Sequence, residues 1–156
     1  MSITSLGNRD LLKLKKTAFL SSSTIVPDMV LRCYDWAAGK HEGCVISGFS
    51  SKLEHDVLHF LLKVKCPVIM VLARQMYKEI PEELREALAD GRLLIVSTTT
   101  AARQSRATAL SRNRYICELA DEILFVGVNE ESSLNPLKEK YQSKLTTVHN
   151  EMSRDR

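Results

Sequence analysis

Thr108-Ala109-Leu110-Ser111-Arg112-Asn113-Arg114-Tyr115-Ile116-Cys117-Glu118-Leu119-Ala120-Asp121, running directly into Glu122-Ile123-Leu124-Phe125-Val126-Gly127, decides how this chain is read. Ile116, Leu119 and Ala120 share one face of a helix, and the apolar run behind Asp121 has the length and branching of a buried strand. Ser111 has the chemistry of an N-cap, which predicts a helix opening there, with Arg112, Asn113 and Arg114 in its first turn beside free backbone N–H groups. Cations at a helix start oppose the local dipole, and a bound phosphate would account for two of them.

The same alternation repeats outward in both directions. Thr17 to Leu20 reads as a buried strand ending in the polar turn Ser21 to Thr24. Pro27 at a first helical position, Asp28 beside it and the stop at Gly39 bracket a helix carrying Val30, Cys33, Tyr34 and Ala37. A strand over Gly43 to Gly48 follows. Ser51-Lys52-Leu53-Glu54 has capping-box form, opening a helix with Leu53, Val57, Phe60, Leu61 and Val64 at helical spacing. Pro67 to Leu72 is uninterruptedly apolar, the pattern of a strand covered on both faces. Pro81, Glu82 and Glu83 start a third helix that ends before Gly91, and Leu93 to Val96 is the next strand. Ser97 to Ser105 reads as a polar loop, Ile123 to Val128 as a strand, Ser132 to about Lys140 as a short helix, and Thr146 to Val148 as a sixth strand. Within Met1 to Lys16, Asp10 to Leu14 suits a helical turn or an edge segment equally.

Apolar strands alternating with helices predict an α/β, three-layer, doubly wound Rossmann-like domain, with a mostly parallel sheet of roughly five to seven strands. With 156 residues, 44% of them hydrophobic, the chain suits one domain over residues 1–150, with a loose tail over 151–156. In such folds ligands bind beyond the carboxyl ends of the strands. The turns that collect there supply the candidate ligand- or phosphate-binding residues: Ser21 and Ser22; Ser47, Gly48, Phe49, Ser50 and Ser51; Arg74; Arg112, Asn113 and Arg114; and Ser132 and Ser133. Charge points the same way. The formal net charge is only +3, but Arg92, Arg103, Arg106, Arg112 and Arg114 fall between Gly91 and Cys117 with no Asp or Glu among them. Tyr115 and Phe49 suit base stacking and simple packing equally, whereas Tyr34 and Trp36 sit among apolar neighbours and read as core.

Catalytic and metal-binding patterns are weaker. His55 and His59 are four apart on one helix, without the H-E-x-x-H pattern or a third ligand nearby, so no metal and no cofactor are expected. Cys33, Cys44, Cys66 and Cys117 lack C-x-x-C spacing and read as small core residues of a reducing compartment. Glu54 and Glu118 are the acids near the proposed site; Glu118, one turn after Arg114, reads as its salt-bridge partner rather than as a catalyst. No apolar run has membrane-helix length, and the first twenty residues lack signal-peptide features, so a cytoplasmic protein is expected.

The R-N-R-x-I-x-x-L-A-D segment at Arg112 to Asp121 resembles the R-N-R-I-I-A-x-L-S-D segment of the DNA-processing protein A (DprA/Smf) family. Ser47 to Glu54 resembles that family's S-G-L-A-R-G-I-D turn, and Pro67 to Ser97 its third strand through its fourth. The resemblance covers about Thr17 to Leu134 and implies an extended Rossmann core, of the wider group that includes the cytokinin-activating phosphoribohydrolases. Full-length members bind single-stranded DNA and load a recombinase. Ser21-Ser22-Ser23 stands where the family has G-S-R, Lys52 where its second turn has a glycine, and Asn129 to Leu134 where it has G-S-G-S-L. The family's flanking helical domains are not in this sequence, so recombinase loading is not expected. The phosphoribohydrolase motif P-G-G-x-G-T-x-x-E is also missing. The resemblance therefore implies a stand-alone binder of single-stranded DNA or a nucleotide, more a binding module than an enzyme. The alternatives are a phosphoribohydrolase-like nucleotide hydrolase using the same pocket and a non-catalytic homodimeric scaffold.

Overall fold

The computed structural model describes residues 3–148. Their order is β1 (Thr4–Gly7), a 3-10 turn (Arg9–Lys13), β2 (Lys16–Ser21), α1 (Pro27–Ala38), β3 (Cys44–Ser47), α2 (Lys52–Lys63), β4 (Val68–Leu72), α3 (Glu82–Ala89), β5 (Leu93–Ser97), α4 (Arg106–Leu119), β6 (Glu122–Val126), α5 (Asn135–Lys140), a second 3-10 turn (Gln142–Lys144) and β7 (Leu145–Thr146). The strands form one sheet in the order β1-β5-β4-β3-β2-β6-β7, parallel except for β1, as the alternating pattern predicts. The chain winds outward from β2 to β5 and then returns to place β6 on the other side of β2. That reversal opens a crevice beyond the carboxyl ends of β2 and β6, the usual ligand position in this architecture. The tail expected over 151–156 lies outside the described residues.

Two apolar layers flank the sheet. Phe19, Val45, Val68, Met70 and Ile95 face α1, α2 and α3, while Ala18, Leu20, Ile46, Ile69 and Leu94 face Ile116 and Cys117 of α4 and Leu137 of α5. β4 and β5 are buried along their whole length because both faces are covered. Trp36 stacks on Phe19, with ring centroids 5.4 Å apart, and is a core residue as its neighbours predict. Tyr34 packs beside the same core and donates its hydroxyl to Asp56 at 2.7 Å. No helix among the described residues is long and apolar enough to cross a membrane.

Besides α5, which starts at Asn135 rather than Ser132, three elements differ from the sequence reading. β1 is an antiparallel edge strand that the reading did not place; all four of its residues are exposed, so it carries no apolar signature. Gly7 closes it with φ +111°, where a Cβ would stand 2.3 Å from the Leu93 carbonyl oxygen. Second, β7 covers Leu145–Thr146 rather than Thr146 to Val148. The third correction is larger. α4 starts at Arg106, not after Ser111: Ser105 is the N-cap and closes a reciprocal capping box with Thr108. Arg106 to Leu110, rich in alanine, continues the helix readily. Arg112 therefore lies about two turns inside α4, on its buried face, where neither the dipole nor the free N–H groups of a helix start reach it.

All four cysteines are free and buried. Burial pushes the thiols of Cys33, Cys66 and Cys117 up to about 12 and that of Cys44 up to about 11. Thiolate is the reactive form, so the native protein should resist alkylation by iodoacetamide at pH 8, whereas the denaturant-unfolded chain should take up four equivalents quickly. Rapid labelling of native protein would contradict the packing described.

Candidate phosphate-binding cleft

A cleft of about 540 Å³ lies over the β2/β6 crevice. Its walls come from the turn after β2 (Ser21 to Thr24), the start of α2 (Ser50, Ser51, Glu54), Arg112 and Asn113 of α4, and the turn after β6 (Gly127, Asn129 and Glu131 to Leu134). A second pocket of about 200 Å³, lined by Gly48, Phe49, Arg74, Tyr77 and Gln104 among others, lies alongside, and Ser50 and Arg112 belong to both. The structure thus brings Ser21, Ser22, Ser50, Ser51, Arg112, Asn113, Ser132 and Ser133 into one cleft and puts Gly48, Phe49 and Arg74 next door. Arg114 is exposed on the outer side of α4 and Ser47 is fully buried; neither lines either pocket.

Arg112 is the centre of the cleft, and only 3% of it is exposed. Its Nε donates to Asn113 Oδ1 at 2.8 Å, Nη1 to the Val71 carbonyl at 3.3 Å and Nη2 to Ser50 Oγ at 3.2 Å. A guanidinium carries five N–H groups, so each Nη keeps one N–H unengaged. Among the described residues no carboxylate lies within ion-pairing distance. Burial lowers the Arg112 pKa and the field of Glu54 opposes that shift. A buried cation held only by neutral acceptors is costly, and an anion delivered to its free N–H groups offsets that cost.

Gly48 makes room for this arginine. A Cβ at position 48 would stand 2.2 Å from Arg112 Nη1 and 2.4 Å from Cζ. The glycine therefore admits the guanidinium itself. Asn113 is fixed by the same bond: its Oδ1 faces Arg112 Nε, which leaves its amide N–H groups for the cleft.

Glu54, 5% exposed, lies under the cleft floor. Its Oε1 accepts from the backbone N–H of Ser50 at 3.0 Å and of Ser51 at 3.3 Å, and its Oε2 from the Ser21 N–H at 2.9 Å. Ser51 Oγ in turn accepts from Glu54 N at 3.1 Å, completing the capping box that the sequence predicts. The amides of Ser50 and Ser51, just ahead of α2, are thus satisfied by a carboxylate of the chain itself. Ser21 Oγ and Ser51 Oγ share a 2.7 Å hydrogen bond, and Ser22 Oγ donates to the Gly127 carbonyl at 2.7 Å.

Other expectations need correction. Phe49 offers no stacking face: it is 5% exposed, its ring belongs to the core, and its N–H donates to Ser47 Oγ at 3.1 Å with φ at +50°. That left-handed backbone is held because the buried ring anchors it. Tyr115 packs against the core face shared with Ile116 and lines neither pocket. Glu118 does not pair with Arg114; it accepts a hydrogen bond from the Tyr141 hydroxyl, and Lys144 Nζ caps its backbone carbonyl at 3.2 Å. Arg74 lies over Tyr77, 5.4 Å from the ring centroid, and donates Nε to the Gln75 carbonyl. His55 contacts Glu83 at 3.0 Å and His59 lies edge-on to Phe60; among the described residues no cluster of three His, Cys, Asp or Glu side chains could hold a metal. Of the cleft residues absent from the candidate set, Ser23, Thr24, Asn129 and Glu131 lie in turns expected at this edge, Gly127 lies in what reads as the end of a strand, and Glu54 and Leu134 lie next to expected turns.

With strand order, crevice and cleft in place, the chain superimposes on two solved structures. DNA processing protein A from Streptococcus pneumoniae matches with a TM-score of 0.76 and 17% identity over 93% of this chain. The fold is that of DNA processing protein A. The Helicobacter pylori protein, whose structure describes its single-stranded DNA binding mode, matches with a TM-score of 0.71 and 19% identity over 98% of this chain. This DprA-like chain spans about half the length of the S. pneumoniae protein, 54%, and 78% of the H. pylori one. No family model and no curated protein sequence matches it.

Proposed function

We propose that the chain, as one Rossmann-like domain over residues 1–150, binds single-stranded nucleic acid, with a backbone phosphate held at Arg112 and Asn113. The observation that carries this reading is the buried Arg112 guanidinium, which lines the cleft, has no carboxylate partner among the described residues and keeps N–H groups unengaged. The neutral hydroxyls around it suit a phosphate ester and its sugar. Arg103, Arg106 and Arg114 are exposed along the approach to α4 and the helix itself, where they attract a polyanion. The H. pylori neighbour's binding of single-stranded DNA agrees with this reading. Glu54 disfavours hydrolysis, because both its oxygens already accept backbone N–H bonds and neither is placed to take a proton.

Anisotropy titrations with single-stranded oligonucleotides over a salt series test it. Affinity should fall with a log–log slope near −0.7 per phosphate contacted, about −2 to −3 for three or four contacts. Arg114→Ala, on the exposed side, should leave stability within about 0.5 kcal/mol and flatten the slope by up to roughly one unit. A slope that does not change from mononucleotide to long oligonucleotide would leave a nucleotide pocket instead, and no binding at low salt would favour the dimeric scaffold.

A further inference from the structure

We propose that the cleft selects the internal phosphodiester of a strand and rejects terminal, di- and triphosphate groups, and that Glu54 is the residue that sets this preference. The inference rests on the binding reading above and adds the class of phosphate. The cleft walls hold one cation, Arg112, against two carboxylates, Glu54 beneath and Glu131 at the rim; every other lining side chain is neutral. In this fold the amides at the end of β2 and the start of α2 would be the natural donors to a phosphate. Here Glu54 accepts from the N–H groups of Ser21, at the end of β2, and of Ser50 and Ser51, the two residues just ahead of α2. An incoming phosphate finds those three amides taken and meets Arg112, Asn113 and neutral hydroxyls instead, with the Glu54 carboxylate behind it.

That arrangement distinguishes phosphates by charge. A phosphodiester brings one negative charge, which meets the free N–H groups of Arg112 directly. A terminal phosphate carries about −1.5 to −2 near neutral pH. Its surplus charge, like that of a di- or triphosphate, falls against Glu54 with no second cation in the cleft to meet it. At the separations inside such a cleft, each unmatched charge lowers affinity by about tenfold or more. The flanking hydroxyls of Ser50, Ser132 and Ser133 add neutral partners that suit a sugar and do nothing for extra charge.

Calorimetric titration at constant ionic strength with four probes tests the inference: oligothymidylate with a 5′-hydroxyl end, the same oligomer with a 5′-phosphate, thymidine triphosphate and inorganic pyrophosphate. The two oligomers should bind alike, and the triphosphate and pyrophosphate about tenfold or more weakly than either. Glu54→Gln, which keeps an amide oxygen for the capping box, should narrow that gap by about tenfold. Glu131→Gln, at the exposed rim, should narrow it less. Triphosphate binding as tight as the oligomer, or a tighter 5′-phosphorylated oligomer, would overturn the selectivity while leaving nucleic-acid binding intact. Silence from all four probes would overturn the binding reading itself. Should Glu54→Gln fail to fold, the wild-type ratio together with Glu131→Gln still decides.

Discussion

Gly48→Ala is expected to remove oligonucleotide binding as thoroughly as Arg112→Ala, although residue 48 offers a ligand no side chain at all. The added Cβ would occupy space 2.2 to 2.8 Å from Nη1, Cζ and Nε of Arg112, so the guanidinium must leave its seat between the β3 turn and the Val71 carbonyl. Once displaced, it loses its bonds to Val71 and Ser50 and releases Asn113, whose amide oxygen is held by Arg112 Nε. A buried phosphate contact through arginine, together with an oriented amide, makes a loss of about a hundredfold the expected scale. Each substitution should cost about 1 to 3 kcal/mol of stability, the range for disturbed buried hydrogen bonds, and should leave the fold intact by circular dichroism. The cycle is the sharper measurement. Because both changes act on one guanidinium, the double variant should bind no worse than either single one. Additive losses would mean that residue 48 meets the ligand directly, and wild-type binding by Gly48→Ala would remove Arg112 from the site.

What the sequence made legible follows from how local each signal is. β4 and β5 are read directly from Val68 to Leu72 and Leu93 to Val96, since only a strand covered on both faces is apolar at every position. The Ser51–Glu54 box and Pro27 mark helix starts because their chemistry involves backbone groups only a few residues away. Strand alternation then assigned the cleft turns to one edge without any contact being known. The start of α4 was hidden for a physical reason. Ser105 and Ser111 offer the same cap chemistry, and Arg112 interrupts an otherwise apolar stripe formed with Ile116, Cys117 and Ala120. A charge on a buried face reads as the end of that face until the pocket receiving it is seen.

The roles inside the site were harder to read because each depends on a partner far away in the chain. Glu54 looked like a cap or an acid; that it also takes the Ser21 N–H, 33 residues away, is visible only in three dimensions. Phe49 and Gly48 stand side by side in one turn, yet the ring turns into the core while the glycine yields to an arginine from α4. Neighbours in sequence thus serve opposite layers, and only the β3–α2 geometry assigns them.

Ile116→Ala should produce the largest stability loss among substitutions near the site, about 2 to 5 kcal/mol. Ile116 is fully buried and packs into the sheet face built from Ala18, Leu20, Ile46 and Ile69. At this chain length such a loss lowers the midpoint of thermal unfolding by roughly 4 to 20 °C. Leu119, expected from its helical spacing to be a core residue, is only half-buried at the end of α4, so Leu119→Ala should cost clearly less. The comparison reports on function as well. Ile116 lies one turn beyond Arg112 on the same helix face, so the cavity left by its truncation lets α4 settle where the guanidinium must hold a fixed position. Oligonucleotide affinity of the folded Ile116→Ala protein, measured well below its unfolding midpoint, should therefore fall, while Leu119→Ala should bind as wild type. Equal and small stability losses for the two would show that α4 does not rest on the sheet through this face. A large loss for Ile116→Ala with unchanged affinity would show that Arg112 is held by its bonds to Val71, Ser50 and Asn113, independent of how its helix packs.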